Sequence, residues 1–321
     1  MNIQEEIKSL RRLWGSYWQA RVLLTANNLR VFDHLKTAKS ASQIAGLISA
    51  DPRATEILLD AVAGLGLLKK KSGLYRNSAV ADQLLVNGMP YYQGDILRHA
   101  DNLWINWSNL DEVVKTGLPT RKAFGTDAFI RGMHNIAISR AKETIRAINL
   151  KGVRKALDLG GGPGTYSIEM ARRVDSVTLF DLPATIAIAT DIIDKSGLRN
   201  ISFMEGDFLI DDIGNGYDLV LISQVLHSFS ADNSRKVLQK AHKALNTNGR
   251  VVIQEHYLAA DRTKPVHGSL FSVNMLVNTH GGRSYSVPEI KEWLTSAGFN
   301  KTGHKLMGDN VLVTGRKISE R

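Results

Sequence analysis

The chain of 321 residues carries 41 lysines and arginines against 31 aspartates and glutamates, a formal charge of +10, and no cysteine. Its apolar and charged fractions, 43% and 22%, are those of an ordinary globular protein long enough for two cores, which excludes fibrous and disordered classes. Disulfides and thiolate metal ligands are excluded too, and no apolar run approaches the ~18 residues of a membrane span.

The opening Asn2-Ile3-Gln4-Glu5-Glu6 is acidic and lacks the apolar stretch of a signal peptide, so a cytoplasmic protein is expected. The basic excess raises the question of nucleic acid. Its residues are scattered, the densest run being Lys69-Lys70-Lys71, with no arginine-rich arm; it reads as a solvated surface, and no nucleic-acid partner is expected.

From Leu10 to Leu35 the pattern is helical, with Trp14, Tyr17, Trp18, Val22, Leu23, Leu24 and Leu29 too many for one buried stripe. A second surface must cover them, and we expect a homodimer formed through this region. Ser40-Ala41-Ser42-Gln43 opens a short helix, and Asp51-Pro52 supplies an N-cap and a first-turn proline for another. In the latter Ala54, Ile57, Leu58, Ala61, Val62 and Leu65 recur at helical spacing until Gly66. A hairpin turning at Ser72-Gly73 follows. Helix, helix and hairpin compose a winged-helix domain over residues 1–90. Its second helix would offer DNA only Arg53, Glu56 and Asp60, a poor reading surface that favours a dimerisation scaffold. Residues 91–150 read as a helical connector whose Trp104, Trp107, Phe124, Phe129 and Met133 serve either as core or as the wall of a pocket for an aromatic substrate.

Residues 151–321 are organised around Ala156-Leu157-Asp158-Leu159-Gly160-Gly161-Gly162-Pro163-Gly164-Thr165-Tyr166, a short apolar strand breaking into a glycine loop that opens a helix. The loop lacks the Gly-Lys-Ser/Thr ending of a P-loop and the G-x-G-x-x-G spacing. Pro163 removes a backbone donor that a pyrophosphate would use, and Asp158 would repel phosphate but attract a cation. D-x-G-x-G-x-G therefore suits a nucleoside carrying a positively charged amino acid. At these residues the sequence resembles the class I S-adenosylmethionine-dependent methyltransferases.

Strand and helix patterns alternate beyond the loop, predicting an α/β fold: a Rossmann-like, mainly parallel sheet flanked by helices, with ligands at the carboxyl ends of the strands. Polar residues stand at those ends: Asp158, Asp181, Asp207, His227 just past the fourth strand, and Glu255. Asp181, followed by Leu182, is placed to accept two ribose hydroxyls. Gly206-Asp207-Phe208 offers a group for the adenine amine and a ring for the base. The fourth strand runs Ser223-Gln224-Val225-Leu226-His227, not the Asn/Asp-Pro-Pro-Tyr/Phe turn of enzymes that methylate base amines. His227, as an imidazole largely neutral at pH 7, can take a hydroxyl proton, and Glu255 can hold its far nitrogen.

With these residues nearly the whole chain resembles the small-molecule O-methyltransferases that have an N-terminal winged-helix dimerisation domain, caffeate-type plant enzymes and bacterial antibiotic and pigment enzymes among them. Leu157–Gly164, Phe180-Asp181-Leu182-Pro183, Gly206-Asp207-Phe208, Gly249–Glu255, Gly281-Gly282-Arg283 and Ala297-Gly298-Phe299 carry the likeness. It implies S-adenosyl-L-methionine as cofactor, S-adenosyl-L-homocysteine as product, no metal, and a small-molecule acceptor. It implies cofactor contacts at Asp158, Gly160, Gly162, Gly164, Asp181, Leu182, Gly206, Asp207, Phe208 and Ser223. His227 and Glu255 would be catalytic, and Met133, Met275, Thr279 and His280 would line the acceptor pocket. Two departures stand out: the family's His-Asp-Trp triplet reads His227-Ser228-Phe229, and its second supporting glutamate is Ser284. Methylation of carbon or sulfur, which needs less help from a base, is the alternative these departures keep open. A DNA-binding regulator that senses the cofactor is the second.

Overall fold

The computed structural model describes residues 2–120 and 125–318; Phe124 and the last three residues lie outside them. The chain divides into two compact units, one ending at Asn102 and the other beginning at Leu103.

The first unit begins with α1 (Ile3–Asn28), α2 (Val31–His34), β1 (Lys39–Ser40) and α3 (Ala41–Leu47). α4 (Pro52–Gly64), β2 (Leu68–Lys71), β3 (Leu74–Asn77) and α5 (Ala79–Leu84) follow, and α6 (Gly94–Ser108) spans the division. The long N-terminal helix stops short of Leu35 because Arg30 takes a left-handed conformation, φ 55°, that ends α1 and caps α2. Ser40 and Gln43 form a complete capping box on α3, and the Asp51 carboxylate caps α4 through the Ala54 N–H. The hairpin turns at Ser72-Gly73 with both residues at positive φ, as a two-residue turn requires. Pairing of β1 with β3 makes a three-stranded sheet, and this extra strand was invisible in a two-residue segment. Lys70 donates to Asp60 at 2.6 Å and sits 3.7 Å from Glu56, so these charges are spent on each other. On α1, Leu13, Trp14 and Trp18 are 73%, 56% and 59% exposed, an apolar face left uncovered in the single chain.

The second unit adds α7 (Leu110–Thr116), α8 (Thr126–Ile138) and α9 (Ala141–Ile148), then β4 (Lys155–Leu159), α10 (Thr165–Ala171), β5 (Ser176–Asp181), α11 (Pro183–Asp194) and β6 (Ile201–Glu205). β7 (Tyr217–Ser223), α12 (Ala231–Ala244), β8 (Leu245–His256), α13 (Val266–Asn278), α14 (Val287–Ser296), β9 (Asn300–Met307) and β10 (Asn310–Arg316) complete it. The seven strands run in the order β6-β5-β4-β7-β8-β10-β9, the first five mutually parallel and β10 antiparallel to both its neighbours. β4 lies near the middle, and Ala156, Leu157 and Leu159 are fully buried, which is why it reads as an unbroken apolar run. One face of the sheet packs Val220, Ile222 and Val251 against Val237, Leu238, Trp293 and Leu294 of α12 and α14. The other packs Ala156, Leu219 and Val252 against Ile145 and Met170 of α9 and α10.

The expected α/β architecture is present. Its C-terminal antiparallel pair, β9 and β10, was not anticipated: β9 alternates weakly and is mostly exposed, so it carries little periodicity. Asp207 stands two residues beyond the end of β6 instead of terminating it. Among the described residues no helix is long and apolar enough to cross a membrane.

Candidate active site

From Leu159 the chain turns through the glycine loop into α10. Gly160, Gly162 and Gly164 take φ of 69°, 54° and 75°, where a side chain is strained. The loop is tied to β5: the Gly160 N–H donates to the Phe180 carbonyl and the Gly162 N–H to Asp181 Oδ2, both at 2.8 Å. Asp181 Oδ1 accepts from the Leu182 N–H at 2.8 Å, and the carboxylate retains lone pairs for further donors. Burial raises the Asp181 pKa, against the opposing pull of the two N–H groups.

A Cβ built on Gly162 meets no protein atom within 4 Å, so the loop presents an open side that a side chain would fill. Behind the loop Asp158 is buried. One of its oxygens accepts from the Ser167 hydroxyl at 2.6 Å and the other has no partner. Burial pushes the Asp158 carboxyl up to about 6, with Ser167 opposing and Asp181 adding to the shift. An open glycine cradle, a carboxylate at its rim and an unpaired buried carboxylate oxygen fit a nucleoside joined to a cationic amino acid.

The remaining strand ends converge on the same rim. The Gly206 N–H donates to the Asp181 carbonyl at 3.0 Å, and Asp207 Oδ1 accepts from the Leu209 N–H at 2.9 Å, closing a turn. Phe208 is half-buried between Phe180 and Phe229, with ring centroids 6.5 and 5.5 Å away. The Ser223 hydroxyl donates to Gln254 Oε1 at 3.1 Å, and Gln254 Nε2 donates to the Tyr166 hydroxyl at 3.2 Å.

His227 lies on a single 3-10 turn, Leu226–Ser228, just past β7. Its Nδ1 is 2.6 Å from Glu255 Oε2, and its backbone N–H donates to Oε1 at 3.3 Å; both residues are buried. Burial alone would raise the Glu255 pKa, but the charge and hydrogen bonds of His227 outweigh it and hold the carboxyl below its usual range. A carboxylate only accepts, so in the neutral form of the ring Nδ1 carries the hydrogen and Nε2 the lone pair.

The strand ends hold an open glycine loop and a buried imidazole tied to a carboxylate, and comparison with known proteins decides what they belong to. Residues 107–300 match the O-methyltransferase domain and residues 12–87 the O-methyltransferase dimerisation domain. The chain belongs to the O-methyltransferase family. It is 34% identical over 297 residues to 3-hydroxy-5-methyl-1-naphthoate 3-O-methyltransferase of Streptomyces sahachiroi, covering 88% of this chain and 86% of that one. It is 31% identical over 328 residues to acetylserotonin O-methyltransferase of Gallus gallus, covering 93% and 94%. The solved structure of PigF with SAH superposes with a TM-score of 0.88 at 26% identity, covering 99% of this chain and 100% of that one. The protein is thus an S-adenosyl-L-methionine-dependent O-methyltransferase acting on small molecules, with a dimerisation domain at its N-terminus.

In this methyltransferase Ser284 does not reach His227. It is buried beside α13, its hydroxyl donating to the Gly268 carbonyl at 3.0 Å and its N–H to Ser272 Oγ at 3.2 Å. Met133 is half-buried on α8 and Met275 buried on α13. Thr279 caps α13, its hydroxyl donating to the Met275 carbonyl at 2.7 Å and accepting from the Gly282 N–H at 3.2 Å; His280 is exposed. Among the described residues no group of three or more His, Asp or Glu is placed to hold a metal ion.

The contact made by Gly282, which the sequence offers only as part of a motif, and three residues near His227 escaped the sequence reading. Gly282 presses on the His227 turn: a Cβ there would come within 3.0 Å of the His227 carbonyl oxygen. The three residues are His256 at the end of β8 and Phe271 on α13, both beside His227, and His267 on α13, which meets His256. Only the four-residue spacing of His267 and Phe271 on one helix could have hinted at them.

The loop carrying Gly282 is anchored by Glu289. Its Oε1 accepts from Arg283 at 2.6 Å and Arg262 at 3.0 Å, and its Oε2 from the Ser286 N–H at 2.9 Å and hydroxyl at 2.7 Å. Burial would raise the Glu289 pKa, but Arg283 and Ser286 prevail and lower it from 4.5 to about 2. A depressed carboxyl pKa stabilises the fold above the unfolded value and loses that stabilisation as pH falls through the folded one. Glu289→Gln is therefore expected to cost about 1–2 kcal/mol at pH 7, discounted for partial exposure. Denaturant titrations of both proteins should show this gap closing from 4.5 down towards pH 2. A gap constant over that window would show that the anchor is not ionic.

Proposed function

We propose that this methyltransferase transfers a methyl group to a hydroxyl of a small aromatic acceptor, with His227 as general base and Glu255 as its support. The observation that carries the reading is the two-point hold of Glu255 on His227, through Nδ1 and through the backbone N–H. It fixes ring and tautomer together, so that the Nε2 lone pair is available to a hydroxyl. As the acceptor oxygen attacks, Nε2 takes its proton, and the buried Glu255 carboxylate stabilises the resulting imidazolium. Bound S-adenosyl-L-methionine supplies an electrophilic methyl on a sulfonium and leaves as S-adenosyl-L-homocysteine. Gly160, Gly162 and Gly164 would let the backbone approach it closely. Asp181, followed by Leu182, would take the ribose hydroxyls, Asp158 the cationic end, and Gly206, Asp207, Phe208 and Ser223 the remainder. No metal has a role in this reading.

Both relatives are named for hydroxylated aromatic substrates, a naphthoate and acetylserotonin, which supports an aromatic acceptor here. Met133, Met275, Thr279 and His280 would line its pocket. The uncovered apolar face of α1 would meet a second copy, making a homodimer through a winged-helix domain over residues 1–90, with 91–150 as connector and 151–321 as the catalytic domain.

The test is titration calorimetry with S-adenosyl-L-homocysteine. The native chain should bind with micromolar affinity. Gly162→Val, which fills the open side of the loop, should abolish binding while the chain stays folded by circular dichroism. Binding that survives the substitution would remove the glycine loop from the donor site.

A further inference from the structure

His256 follows Glu255 at the end of β8 and has no part in the reading above. Its ring centroid is 5.9 Å from that of His227 and 4.0 Å from Phe271, while Phe271 stands edge-on to His227 at 4.8 Å. One phenyl ring thus touches both imidazoles and fixes their spacing. On its other side His256 Nδ1 lies 3.3 Å from Nε2 of His267, one turn before Phe271 on α13. His267 is exposed and His256 is half-buried.

This is an unusual place for a second imidazole. Burial, then the neighbouring His227, with smaller contributions from His267 and Arg140, outweigh the attraction of Glu255 and hold the His256 pKa at about 4. The ring is therefore neutral when His227 takes up a proton, and it does not compete as a base. A neutral imidazole has one donor and one acceptor nitrogen. The hydrogen shared with His267 can reside on either ring, so Nε2 of His256 can donate whenever an acceptor oxygen faces it.

We propose that His256 is a specificity-determining residue: its Nε2 donates a hydrogen bond to a carboxylate or carbonyl oxygen borne on the same aromatic ring as the hydroxyl that His227 deprotonates. This rests on the reading of His227 as the base. Two oxygens in 1,3 relation on one ring are spaced on the scale of the 5.9 Å between the two imidazole centroids, so a single ring can offer one oxygen to each imidazole. An oxygen on the far ring of a fused bicycle lies beyond that span. The His267 contact and the Phe271 wedge hold His256 in place for this task.

The experiment compares two isomers of equal charge and composition, 4-hydroxy-2-naphthoate and 6-hydroxy-2-naphthoate, by fluorescence titration of the enzyme saturated with S-adenosyl-L-homocysteine. The native protein should favour the first by about tenfold, the effect of one hydrogen bond to a charged group. In His256→Phe, which keeps the packing on Phe271, the preference should fall below about twofold, with the affinity for 6-hydroxy-2-naphthoate unchanged. His267→Gln should give an intermediate preference. Equal affinities in the native protein, no binding of either isomer, or a preference that survives in His256→Phe would each overturn the proposal. His227→Gln should keep the preference. If its turnover proves normal, the base assignment fails while the binding result for His256 stands or falls separately.

Discussion

Replacing His227 with alanine is expected to lower turnover by about 10²–10⁴-fold, the range for loss of a positioned general base, while S-adenosyl-L-homocysteine affinity stays within about twofold of native. The cofactor should be indifferent because the glycine loop draws its hydrogen bonds from β5, at Phe180 and Asp181, and none from the His227 turn. The chemistry should not be indifferent, since a neutral hydroxyl is a weak nucleophile and the alanine variant offers nothing to receive its proton. A dependence on the acceptor separates this role from a structural one. For an acidic phenol, or at a pH above the acceptor's own pKa, the nucleophile is already ionised and the deficit should shrink towards unity. A deficit that is the same for acidic and weakly acidic phenols, measured under single-turnover conditions, would mean that His227 orients the acceptor without taking its proton. The alanine variant also leaves the buried Glu255 with only the backbone N–H of its two holds, so a fall in melting temperature is expected alongside and must be measured.

What could be read from the sequence was whatever is written in consecutive residues. The glycine loop between β4 and α10, the caps at Ser40 and Asp51, the turn at Ser72-Gly73 and the polar strand ends all follow from local backbone rules. His227 and Glu255 were legible as a pair because parallel strands bring their carboxyl ends to one rim, a rule of topology that needs no coordinates. The rest depends on how α13 crosses the end of β8. His256 and His267 are 11 residues apart with a loop between them, and no periodicity links a strand end to a helix start. Ser284 shows the same limit from the other side. Counted along the chain it occupies a supporting position, yet its hydroxyl is spent on the Gly268 carbonyl and makes no hydrogen bond to His227. The C-terminal hairpin was missed because β9 is an exposed edge strand, where burial imposes no alternation.

Gly282→Ala is the second substitution expected to have a large effect, and it acts without touching a reacting atom. A Cβ at this position falls within 3.0 Å of both the His227 carbonyl oxygen and Thr279 Oγ, and at 3.0 Å from the Ser228 carbonyl carbon. Thr279 can rotate away, but only by giving up its bonds to the Met275 carbonyl and the Gly282 N–H. The backbone of His227 has no such freedom. Either the loop carrying Gly282 lifts, against the Arg283–Glu289 ion pair, or the His227 turn moves relative to Glu255. Displacing a reacting group by about 1 Å costs on the order of 10²-fold in rate, so turnover should fall by that factor, with S-adenosyl-L-homocysteine affinity unchanged. Adding Thr279→Ala to Gly282→Ala relieves the side-chain contact alone and should restore little. Recovery in the double variant would show that Thr279 and not the His227 carbonyl takes the strain. Normal turnover in Gly282→Ala, with a normal melting temperature, would mean that the loop yields freely and that His227 owes its position to Glu255 alone.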